Sequence, residues 1–198
     1  MQHVWKERAK LGRDSSEVSM EDVFHKILRS RFGGGKPSAE WGYNLIHALE
    51  AHKYDADCEI FLEVLRGNLH ENVYYDQMST IDNLYKEVEK LDYATTGHKS
   101  GMVDMEELMS TLYAYFSQKD VDEMSMIHAA LVRTCQVDLA EGDTHVAYEE
   151  LFHNTRDMCE TPFVETIRDQ HLHGIQAFIV EVMEAAEQEV FTDTYVPN

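Results

Sequence analysis

The chain has 198 residues, 17 Lys and Arg against 37 Asp and Glu, and a formal net charge of −20. An apolar fraction of 43% supplies a real core, and 10 Gly with 3 Pro exclude a collagen-like or low-complexity chain. A body this acidic repels nucleic acid and anionic lipid, which excludes a general nucleic-acid coat or a membrane-surface binder.

The charge is uneven along the chain. Residues 1–36 hold eight basic and five acidic side chains, a net of +3, and the remainder carries −23. The first segment reads as a basic arm followed by an amphipathic helix, suited to an acidic surface such as tubulin tails. In that helix Met20, Val23, Phe24, Ile27, Leu28 and Phe32 recur at helical spacing. Ser19 with Asp22 three residues on starts it, and Gly33-Gly34-Gly35 ends it. Pro37-Ser38 restarts the chain, and Trp41, Leu45, Ala48, Leu49 and His52 share the next face. Asp55 or Asp57 caps a third helix with Ile60, Phe61, Val64 and Leu65 inside, closed by Gly67. A fourth runs from about Glu71 to Leu91 with Tyr74, Met78, Ile81, Tyr85 and Val88 on one stripe.

A polar break follows from Asp92 to Gly101. Helices resume near Met102–Phe116 and Val121–Thr134, and a second break spans Val137–Thr144. Ala147–Met158 is helical again. The last helix starts at Thr161-Pro162, where Thr caps and Pro suits the first turn, and extends toward Val190. No alternating strand pattern exceeds three or four residues. The expectation is an all-α protein of about eight helices. Its segments are an arm and helix over 1–36, an N-terminal helical lobe over 37–91, and a second lobe with a long C-terminal helix over 92–198.

The two polar breaks carry the motif. With Gly101 at the sixth position of a calcium loop, Thr96 falls first, His98 third, Ser100 fifth, Val103 eighth, Asp104 ninth and Glu107 twelfth. In the second, Val146 falls eighth and Glu150 twelfth, with Glu141 third and Asp143 fifth. This layout resembles the EF-hand superfamily, as a degenerate calmodulin- or troponin-like lobe. The resemblance implies a helix–loop–helix pair in which aliphatic residues at the eighth positions pair across the loops. Its ligand positions depart from the pattern where charge matters most: Thr96 and Leu139 stand where Asp is needed. Affinity tracks the number of charged oxygens, so the loops read as weak or vestigial calcium sites and no cofactor is expected. Upstream, residues 57–74 are similar to N-terminal regions of EF-hand-like ciliary and flagellar proteins. That similarity implies a cytoplasmic subunit of an axonemal assembly.

No catalytic set emerges. There is no GxSxG and no GxxxxGK[ST]. Glu150 and His153 share a helical face, but a carboxylate-bridged metal enzyme needs a second such motif, and Asp22 with His25 is a poor one. His171 and His173 are two apart and point to different sides. Cys58, Cys135 and Cys159 form no CxxC pair and read as reduced thiols. The start of the chain lacks the apolar segment of a secretion signal, and no run is long enough for a membrane span.

A cluster of Met gives the binding hypothesis. Met102, Met105 and Met109, facing Val121, Met124, Ile127 and Leu131, would line a groove for a partner helix. The expected function is a non-catalytic adaptor that holds a helix of a larger cytoskeletal assembly with weak or no calcium dependence. The alternatives are a calcium-sensing light-chain-like subunit and a His–carboxylate metal enzyme.

Overall fold

The computed structural model describes residues 2–10, 18–135, 145–153 and 160–193. Within them the protein is helical apart from one short ribbon. It forms two compact units, Met1–Met78 and Ser79–Asn198.

The first unit begins with α1 (Gln2–Ala9) and α2 (Met20–Phe32). α1 belongs to the core: Val4 and Trp5 are buried, and the Trp5 ring meets Phe61 at 6.5 Å and Tyr74 at 4.7 Å. The charged run Lys6-Glu7-Arg8 hid this helix in the sequence. Arg8 pairs with Glu71 at 2.7 Å, and Lys10 pairs with Glu7. Ser19 caps α2, its hydroxyl oxygen accepting the Asp22 amide at 3.1 Å, and Gly33 stops it at φ +77°.

α3 (Lys36–Ala51) crosses α2 at Gly42, where an added Cβ would lie 3.1 Å from Leu28. This close approach rotates the helix from the expected face. Leu49 is buried, but Trp41 is 54% exposed and stacks on Phe32 at 4.6 Å. α4 (Ala56–Leu65) is capped by Asp55 through the Cys58 amide at 2.9 Å and buries Ile60, Phe61, Val64 and Leu65. Arg66 bridges Glu50 and Glu63 at 2.6 and 3.1 Å.

α5 (Asn72–Thr96) contributes its first turns to the first unit and its remainder to the second. It continues through Asp92, five residues into the expected polar break. β1 (Met102–Asp104) and α6 (Met105–Tyr115) follow, then α7 (Val121–Cys135), β2 (His145–Ala147), α8 (Tyr148–Phe152) and α9 (Pro162–Asp193). β1 and β2 pair antiparallel, and Val103 lies opposite Val146. Both valines are buried. The second core gathers Leu84 and Val88 of α5, Leu108 and Leu112 of α6, Ile127 and Leu131 of α7, and Phe163, Val164 and Ile167 of α9.

Candidate functional site

The loop between α5 and β1 is organised by Asp92, a residue 1% exposed on the last turn but one of α5. Its carboxylate accepts the Ser100 amide at 2.8 Å, the Gly101 amide at 2.9 Å and the Ser100 hydroxyl at 2.6 Å. Thr96 Oγ1 donates from 3.2 Å, and the Tyr148 hydroxyl of α8 from 3.2 Å. Burial raises the cost of its charge, but these donors outweigh that cost and hold its pKa below the usual carboxylate range. The same contacts burden Tyr148, whose phenol is pushed up to about 12 by burial and by the Asp92 charge. The Gly101 carbonyl accepts the Tyr148 amide at 3.2 Å, which ties the loop to α8 a second time.

The oxygens expected to face calcium are engaged elsewhere. Asp104 is the N-cap of α6, accepting the Glu106 and Glu107 amides at 2.9 and 3.3 Å. The Glu107 carboxylate is exposed and accepts Thr95 Oγ1 at 3.3 Å. Ser100 and Thr96 bond to Asp92, and His98 Nδ1 lies 3.1 Å from the Thr96 carbonyl. A cation of the chain's own sits beside the loop. Lys99 Nζ lies 3.1 Å from Glu89, 3.0 Å from Glu149 and 3.0 Å from the Tyr85 hydroxyl. The Tyr85 hydroxyl foremost, then Glu149 and Glu89, hold its pKa above the usual lysine value.

Glu150 is exposed on α8, and Glu141 and Asp143 lie outside the described residues. The His153 ring lies tilted against Tyr85 with centroids 5.6 Å apart. In the alternative pair, Asp22 accepts the Ser19 hydroxyl at 2.8 Å and His25 lies 3.4 Å from Glu21. Among the described residues no three His, Cys, Asp or Glu side chains gather where a metal ion could be held. Around the first loop, the scattered carboxylates of the described residues beside an ammonium do not supply the six to eight converging oxygens that calcium takes.

The expected Met-lined groove is filled. Met105, Met124, Ile127 and Leu131 are buried in the second core, and Met109 packs against it. Only Met102 at 40% and Val121 at 84% face outward. The occupant is the first half of α9. Phe163 meets Phe152 edge-on at 5.6 Å, its amide donates to Thr134 Oγ1 at 3.1 Å, and Gln170 Nε2 donates to the Glu123 carbonyl at 2.9 Å. Thr161 caps this helix through the Val164 amide at 3.2 Å, and its hydroxyl donates to the Leu151 carbonyl. The sequence assigned the groove to a partner because spacing shows an apolar face and not what covers it.

An unfilled apolar surface lies farther along the same helix. Phe178, Val180, Val182 and Met183 are 64, 53, 49 and 60% exposed. The sequence carried the signal as apolar residues at Ile175, Ala177, Phe178, Ile179, Val180, Val182 and Met183, too continuous for a solvated helix face. Among the described residues, no helix is long and apolar enough to cross a membrane.

No family model matches the chain, and no solved structure matches it. Two curated proteins do, both called translin-associated factor X-interacting protein 1. The mouse protein is 23% identical over 193 residues, covering 98% of this chain and 26% of the relative. The human protein is 24% identical over 201 residues, covering 100% of this chain and 28% of the relative. The chain thus spans about a quarter of the length of the proteins it is similar to.

Proposed function

We propose that this chain is a non-enzymatic protein-interaction module whose binding face is the distal half of α9. Its second unit is an EF-hand-like helix–loop–helix pair that works without calcium. The observation that carries the reading is the exposure of four large apolar side chains, Phe178, Val180, Val182 and Met183, on one helix. Exposed apolar surface of this kind marks docking sites on folded proteins. The names of the two relatives support an interaction role, since both denote a protein that interacts with translin-associated factor X. The Val103–Val146 pairing supports the helix–loop–helix reading, and the Asp92 and Lys99 networks support independence from calcium. Placement in an axonemal assembly rests on the similarity of residues 57–74.

The test uses purified translin-associated factor X and the immobilised chain. Binding is expected for the native sequence and is lost in Phe178→Asp/Met183→Asp with helicity unchanged. Binding that survives the double substitution contradicts α9 as the contact.

A further inference from the structure

We infer that the helix received by the distal half of α9 is basic, with lysines or arginines flanking an apolar stripe. The inference rests on the reading that α9 is the binding face, and it adds the chemistry of the occupant.

Two contacts fix the direction of α9. Phe163 meets Thr134 at the end of α7, and Gln170 meets Glu123 near its start, so the two helices run antiparallel. Past Gln170, α7 has little chain left to offer, since it begins at Val121. α9 nevertheless continues to Asp193, an overhang of about 30 Å at 1.5 Å per residue. Among the residues through Glu184 whose burial is described, Leu172 is the last fully covered side chain along it, and Ile175 and Ile179 are half-buried.

The overhang has a defined face. Ile175, Phe178, Ile179 and Val182 follow the i, i+3, i+4, i+7 rule, and Met183 widens the stripe by one position. Val164 and Leu172, buried in the proximal half, project onto the same side of the helical wheel. That side starts inside the unit, where buried Arg168 and half-buried His171 interrupt it, and runs out of the unit as an apolar stripe. Such a stripe takes a second helix laid alongside, as in helix-in-groove and coiled-coil recognition.

Charge selects among helices. Glu181 and Glu184 lie on the side away from the stripe and are exposed. The sequence has no Lys or Arg after Arg168, whereas Asp169, Glu187, Glu189 and Asp193 add further acid. A second copy of the chain would bring the same acidic helix, and like charges along a helix pair are destabilising. A helix with basic flanks meets no Lys or Arg on this part of α9 and is drawn in by the net charge of −20.

The experiment measures fluorescence anisotropy of two labelled synthetic helices against the full chain. Both carry leucine at the seam positions; one has lysine on the flanks and the other glutamate. The lysine helix is expected to bind about tenfold or more tighter than the glutamate helix, with affinity falling as salt rises. Phe178→Ser/Met183→Ser abolishes its binding, and Glu181→Gln/Glu184→Gln weakens it severalfold. Equal binding of both helices, lost in the serine variant, overturns the inference and leaves α9 as the binding face. Lysine-helix binding unaffected by the serine substitutions overturns both, because attraction to the acidic body is then diffuse. Binding of neither helix, with the chain eluting as a dimer that Phe178→Ser dissociates, makes a second copy the occupant and overturns only the inference. Binding of neither helix by a chain that elutes as a monomer overturns both.

Discussion

Asp92 holds five donors on one carboxylate, and a small apolar substitute would leave the Ser100 and Gly101 amides and the Tyr148 hydroxyl unpaired. Asp92→Ala should therefore destabilise the second unit by about 2–4 kcal/mol, read from urea unfolding, since buried unpaired donors cost more than the bonds themselves gain. The pH dependence follows from the direction of its shift. The folded pKa lies below the unfolded value of about 3.9, so the stabilisation is complete above that value and is lost as pH falls through the folded pKa. Acid unfolding of the native protein should contain this component, and Asp92→Asn should lack it. Cys135 makes a separate prediction. Burial, then the Glu150 charge, push its thiol up to about 12, so a thiol reagent near neutral pH should label it only after unfolding. The importance of Asp92 was not legible in the sequence. A calcium-loop frame places the first loop position at Thr96, whereas the carboxylate that closes this loop reaches forward from inside α5.

At the scale of elements, α7 separates two positions that spacing treats alike. Ile127 is fully buried beside Met124 and Leu131, and Val121 is 84% exposed. Ile127→Ala should cost about 2–5 kcal/mol in unfolding free energy, and Val121→Ala should change it by less than about 0.5 kcal/mol. A groove lined by both and open to a partner would instead make Val121→Ala weaken binding. Gly101 sits at φ +79°, so Gly101→Ala strains the turn by about 1–2 kcal/mol without any clash. Most helices were legible, because the apolar repeat and the caps at Ser19, Asp55 and Thr161 act locally. The register of Val103 on Val146 was legible from the two loop frames. α1 was not, since its burial rests on Val4 and Trp5, followed by a charged run. Nor was the filling of the Met groove, which depends on a helix some forty residues away in sequence. In the first unit, Gly42 turned α3 away from the face that Trp41 and Ala48 had suggested.

For the whole molecule, the proposed function gives the acidity a role other than collecting calcium. Among the described residues, the carboxylates at the loop positions cap a helix or face solvent, and Lys99 supplies positive charge beside the first loop. Calorimetry at millimolar calcium should show no binding heat, with Glu107→Gln indistinguishable from the native chain; saturable heat lost in that variant would restore the sensor. The acid also sets which helices α9 accepts, and its surplus opposes self-pairing through that face. The account turns on one contrast: the Met-lined cleft is filled by the chain itself, and the stripe beyond it is open. Methionine-methyl NMR during titration with the lysine-flanked helix tests that contrast directly. The Met183 methyl should shift while Met105 and Met124 hold their positions. Shifts at Met105 and Met124 with Met183 unmoved would mean that the partner displaces α9 from the cleft, and would contradict the account.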